Sequence, residues 1–188
     1  PGYHYYALYR RIELQLEQWQ VLIERAHGLG LLVTANVCGP ATAARLAQAK
    51  VDGLKIHAAD VGNIPFLQQI GALKKPVIVS TGGSTLGEIS HAVRVLQQHG
   101  APEVGLILGV QNSPTMLEET HLARLRLMKD RFALPVGYAD HLDAETRLAP
   151  LVPLMALAAG ADFVEKHITL ARAIKREDHV SALNPDEF

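Results

Sequence analysis

Leu134-Pro-Val-Gly-Tyr-Ala-Asp-His141, a helical segment, and then Asp162-Phe-Val-Glu-Lys-His167 are the stretches that decide how this chain is read. Two apolar strands each stop on a histidine. If they lie side by side and parallel, joined by a crossover helix, His141 and His167 emerge from the same end of one sheet. Two neutral imidazoles facing one space make half of a metal site. The other reading of each is a loop residue with a single hydrogen bond.

Working outward, the same unit recurs. Leu31-Leu-Val-Thr-Ala35, Gly53-Leu-Lys-Ile-His57, Pro76-Val-Ile-Val-Ser80 and Val104-Gly-Leu-Ile-Leu108 are short apolar runs, each followed by a helical pattern. With Pro135 to Tyr138 and Asp162 to Lys166 they make six strands at intervals of roughly 22 to 30 residues, the length of a strand-helix unit. Strands without polar alternation are buried on both faces, as in parallel sheets covered by helices. The pattern therefore fits an open doubly wound sheet or a TIM (β/α)8 barrel, and for a barrel about two strands are missing. Helices are expected from about Tyr9 to Ala26, from Ala41 to Ala49, near Pro65 to Ile70, and from Leu86 to His99. Thr85 with Glu88 forms a capping-box pattern before the last of these, and Gly100 follows its end. Thr115 with Glu118 is expected to open a further helix running to about Arg131, and Pro150 to sit in the first turn of the one before His167.

The chain has 188 residues, 48% apolar and 20% charged, a composition that suits one globular domain with a sizeable core. A formal net charge of -1 without a basic cluster argues against nucleic acid as the partner and for a small molecule. Cys38 is the only cysteine, so no internal disulfide forms and a reducing, cytoplasmic setting is expected. The longest apolar stretch, from Leu148 to Ala161, is too short to cross a bilayer and contains Pro150 and Pro153, so no membrane partner is expected. The chain opens on Pro-Gly-Tyr-His-Tyr-Tyr without an initiator methionine, and is expected to begin within a longer protein.

In either architecture function gathers at the carboxyl ends of the strands. There the sequence places Thr34 and Asn36; Lys55 and His57 with Asp60; Ser80 and Thr81 before Gly82-Gly83; Gln111 and Asn112; Asp140 and His141; and Glu165, Lys166 and His167. Lys55 in an apolar strand needs a counter-charge, a phosphate or a carboxylate, unless it snorkels to the rim. Ser80-Thr-Gly-Gly83 can supply hydroxyl and backbone N–H donors to a phosphate, or can be an ordinary glycine turn. Glu165 and His167 alternate onto one face of their strand and Lys166 onto the other, and either face can be the lumen.

Taken in order, Lys55-Ile-His-Ala-Ala-Asp-Val-Gly-Asn-Ile-Pro65, Ser80-Thr-Gly82, Gly137-Tyr-Ala-Asp-His141, Glu165-Lys-His167 and Ser181-Ala-Leu-Asn-Pro-Asp-Glu-Phe188 form a series that resembles the sialic acid synthase (N-acetylneuraminate synthase) family. The resemblance runs from Leu8-Tyr-Arg-Arg-Ile-Glu13 to the last residue. It implies an incomplete TIM barrel of about six parallel strands, the third to the eighth, as a single domain over residues 1–188. The family's two earlier strands and its small antifreeze-like domain after the barrel are expected to lie outside this chain. It implies a metal-dependent condensation of phosphoenolpyruvate with an N-acyl hexosamine such as N-acetylmannosamine to a nine-carbon 2-keto acid.

By the same resemblance His141 and His167 would hold a divalent metal, Mn2+ or Mg2+, and Lys55, Thr34 and Ser80 the phosphoenolpyruvate. Asp60 stands at the position of a family glutamate near the reacting atoms, and Asp178 at that of an acidic residue near sugar and metal. Gln111 and Glu165 join the expected substrate-binding set, and a homodimer is expected of the full-length protein. Ala58 and Ala139 stand where the family often has serines, Leu108-Gly109 where it often has His-Cys, and Ser113 where it has a tyrosine before Pro114. Two other readings are carried: an aldolase with Lys55 or Lys166 as a Schiff base, and a sugar-acid-binding barrel without catalysis.

Overall fold

The computed structural model describes residues 4–110 and 112–188. Strands β1 (Thr34–Val37), β2 (Gly53–Ile56), β3 (Val77–Ser80), β4 (Val104–Leu108), β5 (Val136–Asp140) and β6 (Phe163–Lys166) form one sheet in chain order. Every neighbouring pair is parallel. Helices α1 (His4–Ile12) and α2 (Leu16–Gly28) precede the sheet, and α3 (Pro40–Gln48), α4 (Ile64–Ala72), α5 (Leu86–Gln98), α6 (Arg124–Phe132) and α7 (Val152–Ala158) cross from each strand to the next. No described helix is long and apolar enough to cross a membrane.

The strands alternate. Ala35, Val37, Leu54, Ile56, Val77, Val79, Val104, Leu106, Val136 and Tyr138 are buried on the helix-covered face and carry the core. The intervening positions Asn36, Lys55, Ile78, Ile107, Ala139 and Glu165 form the other face. That face is concave, because Lys55 on β2 meets Glu165 on β6 at 2.5 and 2.7 Å. In a flat sheet those strands would stand roughly 19 Å apart, at ~4.8 Å per strand, beyond the reach of two side chains. The sheet is thus the curved wall of an incomplete barrel, and among the described residues β1 and β6 each have one ladder neighbour.

Phe163 fills the floor of this cup. Its ring lies where a Cβ on Gly137 would have to be, and 3.9 Å from where one on Gly105 would fall. Gly137→Ala is therefore expected to lower stability by about 1–3 kcal/mol through overpacking, read as a shift in the urea midpoint. An unchanged midpoint would mean that the ring is free to move aside.

At the amino ends of the strands two aspartates do the same work. Asp52 accepts a hydrogen bond from the Val33 N–H at 2.7 Å, and Asp162 accepts one from Val136 N–H at 2.8 Å. The Lys129 ammonium and then that N–H hold the Asp162 carboxyl below the usual range.

Several elements differ from the sequence reading. The single helix expected from Tyr9 to Ala26 is two, because the chain restarts at Gln15, extended (φ −75, ψ 163), whose N–H donates to the Gln18 side chain. The strand expected at residues 31–35 begins at Thr34, since Val33 N–H is bonded to Asp52 and Leu31 and Leu32 are 57% and 82% exposed. Thr115 does not open a helix. Its N–H donates to the His141 carbonyl and its hydroxyl to that of Asn112, which ties it to the end of β5, and α6 starts only at Arg124. Pro150 precedes α7, and of the two prolines expected near its first turn only Pro153 falls within the helix. The Thr85–Glu88 capping box at α5 and the left-handed Gly100 (φ 107) after it are present as expected.

Both free sheet edges lie beside exposed apolar side chains: Leu31 and Leu32 before β1, Ile168 (63%) and Leu170 (91%) after β6. Unpaired strand groups next to such surface favour association. The 188-residue chain expressed alone is expected to elute from size exclusion as oligomers or aggregate. A monodisperse monomer would overturn that expectation.

Candidate active site

The carboxyl ends of the strands open on a cleft of about 280 Å3, lined by Asn36, Lys55, His57, Ser80, His141, Glu165, His167 and Asp178. The parallel register that pairs Asp140 with Lys166 continues to place His141 abreast of His167, and their rings stand 5.2 Å apart, tilted by 32°. His141 Nδ1 lies 3.2 Å from the Val110 carbonyl, which can only accept, so Nδ1 carries the proton and Nε2 keeps its lone pair. Burial, and then the neighbouring His167, hold the His141 imidazole below its ordinary range. It is neutral at pH 7, the form that ligates.

The carboxyl-terminal segment is stitched to the main chain of both histidines. Ser181 Oγ donates to the His141 carbonyl at 2.8 Å, and Leu183 N–H to that of His167 at 2.9 Å. Having spent its only proton, Ser181 accepts from Ser113 Oγ at 2.8 Å. This anchoring brings Asp178, left-handed at φ 55, to the lining of the same cleft.

The strand face left open in the sequence is settled by burial. Glu165 and His167 face the cup, whereas Lys166 points outward and is paired with Asp140 at 2.8 Å, the two side chains 3% and 0% exposed. Across the cup the bidentate Lys55–Glu165 pair gives Lys55 a carboxylate partner, the two side chains remaining 18% and 35% exposed.

Over residues 2–188 the chain matches the NeuB family. The chain belongs to the NeuB family. It is 30% identical over 187 residues to the N,N'-diacetyllegionaminic acid synthase of Legionella pneumophila, covering 97% of this chain and 51% of that protein. It is 28% identical to a pseudaminic acid synthase of Campylobacter jejuni, covering 97% of this chain and 52% of that one. Among solved structures it is similar to the N-acetylneuraminic acid (sialic acid) synthetase of Leptospira borgpetersenii, with a TM-score of 0.88 at 26% identity, over 99% of this chain and 64% of that one. The chain spans about half the length of the curated relatives it matches.

Of the residues singled out in the NeuB-family sequence, Lys55, Ser80, His141, Glu165, His167 and Asp178 meet in the one cleft. Thr34 does not join them. As the first residue of β1 it lies abreast of Gly53, one layer below Asn36, which is the residue paired with Lys55. Asp60 ends a 3-10 turn (Ala58–Asp60), where its carboxylate accepts from Asn63 Nδ2 at 3.1 Å, and it is not part of the cleft lining. Gln111 lies outside the described residues. Asn36, His57, Asn112 and Ser113 line the cleft as well. The signal for His57 was the period of two from Lys55.

The donor set fits a divalent ion held by few protein ligands. His141 offers a neutral ring with a free Nε2 next to His167, and Asp178 adds a carboxylate to the same cleft. Among the described residues no group of three or more His, Cys, Asp or Glu side chains is close enough to form a shell of its own. Such a site leaves positions for water and substrate, and imidazole ligands favour a first-row transition ion such as Mn2+ over Mg2+.

Proposed function

We propose that this chain supplies the active-site cup of a synthase that condenses phosphoenolpyruvate with an N-acyl hexosamine, such as N-acetylmannosamine, to a nine-carbon 2-keto sugar acid, with release of phosphate. One observation carries the reading: a single cleft joins a donor wall on β2 and β3, with Lys55 and Ser80, to an imidazole pair on β5 and β6. The donor wall suits a phosphorylated three-carbon acid, and the opposite wall suits the oxygens of a sugar. The relatives named above are synthases of legionaminic and pseudaminic acids, which supports this reaction class and leaves the N-acyl sugar to experiment.

His141 and His167, with Asp178 lining the same cleft, would hold Mn2+ or Mg2+, which when bound supplies a Lewis acid for the sugar aldehyde oxygen. Lys55 would neutralise the phosphate, and Ser80 would donate to it. Attack of C3 of phosphoenolpyruvate on the aldehyde forms the carbon–carbon bond; water then adds at C2, and the C2–O bond breaks as phosphate leaves. Glu165 would move the proton of that water, a role supported by its lining the cleft, which Asp60 does not. Asn36, abreast of Lys55, takes the binding role expected of Thr34.

A Schiff-base lysine needs a free, desolvated amine, whereas both candidates are engaged by carboxylates, Lys55 by Glu165 and Lys166 by a buried Asp140. This favours the synthase over the aldolase. The test is phosphate release from phosphoenolpyruvate by the full-length protein with Mn2+ and a panel of N-acyl hexosamines, with calorimetry of phosphoenolpyruvate alongside. Binding without release for any sugar would replace the synthase with a non-catalytic sugar-acid-binding barrel.

A further inference from the structure

His57 lines the same cleft as His141 and His167, but on the β2 side and not on the β5–β6 wall where those two rings meet. Its ring is committed in another way. The Ala59 N–H donates to His57 Nδ1 at 3.2 Å, so Nδ1 is the acceptor and the neutral ring carries its proton on Nε2. The register Lys55↔Ile78 and Ile56↔Val79 continues to set His57 abreast of Ser80, roughly 4.8 Å away across parallel strands. Ser80 is 4% exposed, lines the cleft, and its hydroxyl has no partner among the described residues. No buried side-chain oxygen among the described residues lacks a partner, so the Ser80 hydroxyl opens on the cleft and is free to donate to a ligand oxygen there. The cation on this wall, Lys55, is shared with Glu165, so an anion in this cleft draws on neutral donors as well as on the lysine.

We propose that His57 is a ligand-contacting residue whose Nε2–H, together with the Ser80 hydroxyl, donates to an oxyanion of the substrate. On the reading of the cleft given above, that oxyanion is the phosphate of phosphoenolpyruvate. His57 thereby sets how tightly this chain holds its three-carbon donor, while His141 and His167 serve the other wall.

Two near-isosteric substitutions separate this role from a purely structural one. His57→Gln places an amide N–H near Nε2 but loses the acceptor for Ala59, whereas His57→Asn keeps an acceptor near Nδ1 and loses the outer donor. In the full-length protein, His57→Ala and His57→Asn are expected to raise the Kd for phosphoenolpyruvate about tenfold or more, as for loss of a hydrogen bond to a charged group. His57→Gln should stay close to the parent. Mn2+ affinity, followed by electron paramagnetic resonance, should be unchanged in all three. Nitrogen-15 spectra of the histidine rings should show the Nε2–H form at His57 and a shift there on adding inorganic phosphate. Affinity retained by His57→Asn and lost by His57→Gln would assign His57 to capping alone, and equal affinity in all variants would remove it from the ligand; either overturns the proposal. Inorganic phosphate shifting His57 in a protein that releases no phosphate from phosphoenolpyruvate would leave the oxyanion seat standing and defeat the synthase reading instead.

Discussion

A protein with Lys166→Met is expected to lose about 3–5 kcal/mol of stability, the cost of leaving a buried charge without its partner. Asp140 is the charge concerned. Its side chain is 0% exposed, one oxygen takes the Lys166 ammonium at 2.8 Å and the other takes the Leu142 N–H at 3.0 Å. The two residues face each other across the β5–β6 ladder on the helix-covered side, so neither water nor a rearranged surface side chain is at hand to replace the lysine. The double substitution Asp140→Leu with Lys166→Met removes both charges and should recover much of the loss, since well-packed apolar pairs often equal buried ion pairs. Urea unfolding of the full-length protein measures both. A single variant as stable as the parent would mean that Asp140 is not held as a buried carboxylate.

The second large effect falls on the other side of the same two strands. His141→Ala with His167→Ala is expected to lower metal-dependent phosphate release by more than about 100-fold, given that loss of mere supporting residues around a metal costs 10–100-fold. Stability should change little, because both rings stand at the cleft rim and not in the apolar layer between sheet and helices. Since only two imidazoles are offered, a chelator should strip the ion from the parent protein, and added Mn2+ should restore activity. Normal manganese dependence in the double variant would place the metal elsewhere.

These predictions mark where the sequence was sufficient. Alternating short apolar runs and capped helical patterns were enough to specify parallel strand-helix units, because parallel strands require a crossover and the crossover takes one hand. Given that the two strands are neighbours, as the sheet order shows, His141 falls beside His167, since each follows directly on its strand and neighbouring parallel strands end together. Lys55 and Ser80 were legible for the same reason, as polar residues closing apolar strands.

What tertiary structure decided depends on contacts that local pattern does not carry. Glu165 is 110 residues from Lys55, and only the curl of the sheet makes them partners. Asn36 and not Thr34 lines the cleft, because a distant aspartate, Asp52, occupies the Val33 N–H and β1 starts at Thr34; with a side-chain period of two, the depth of each residue in the cup follows from where its strand begins. Thr115, a good cap by its spacing to Glu118, is held in a loop by the His141 carbonyl. The face of β6 was undetermined in sequence, since Glu165 and Lys166 are both charged. Burial chose: the lysine could be taken out of water because Asp140 stood opposite it, and that left the glutamate and both histidines to the cleft.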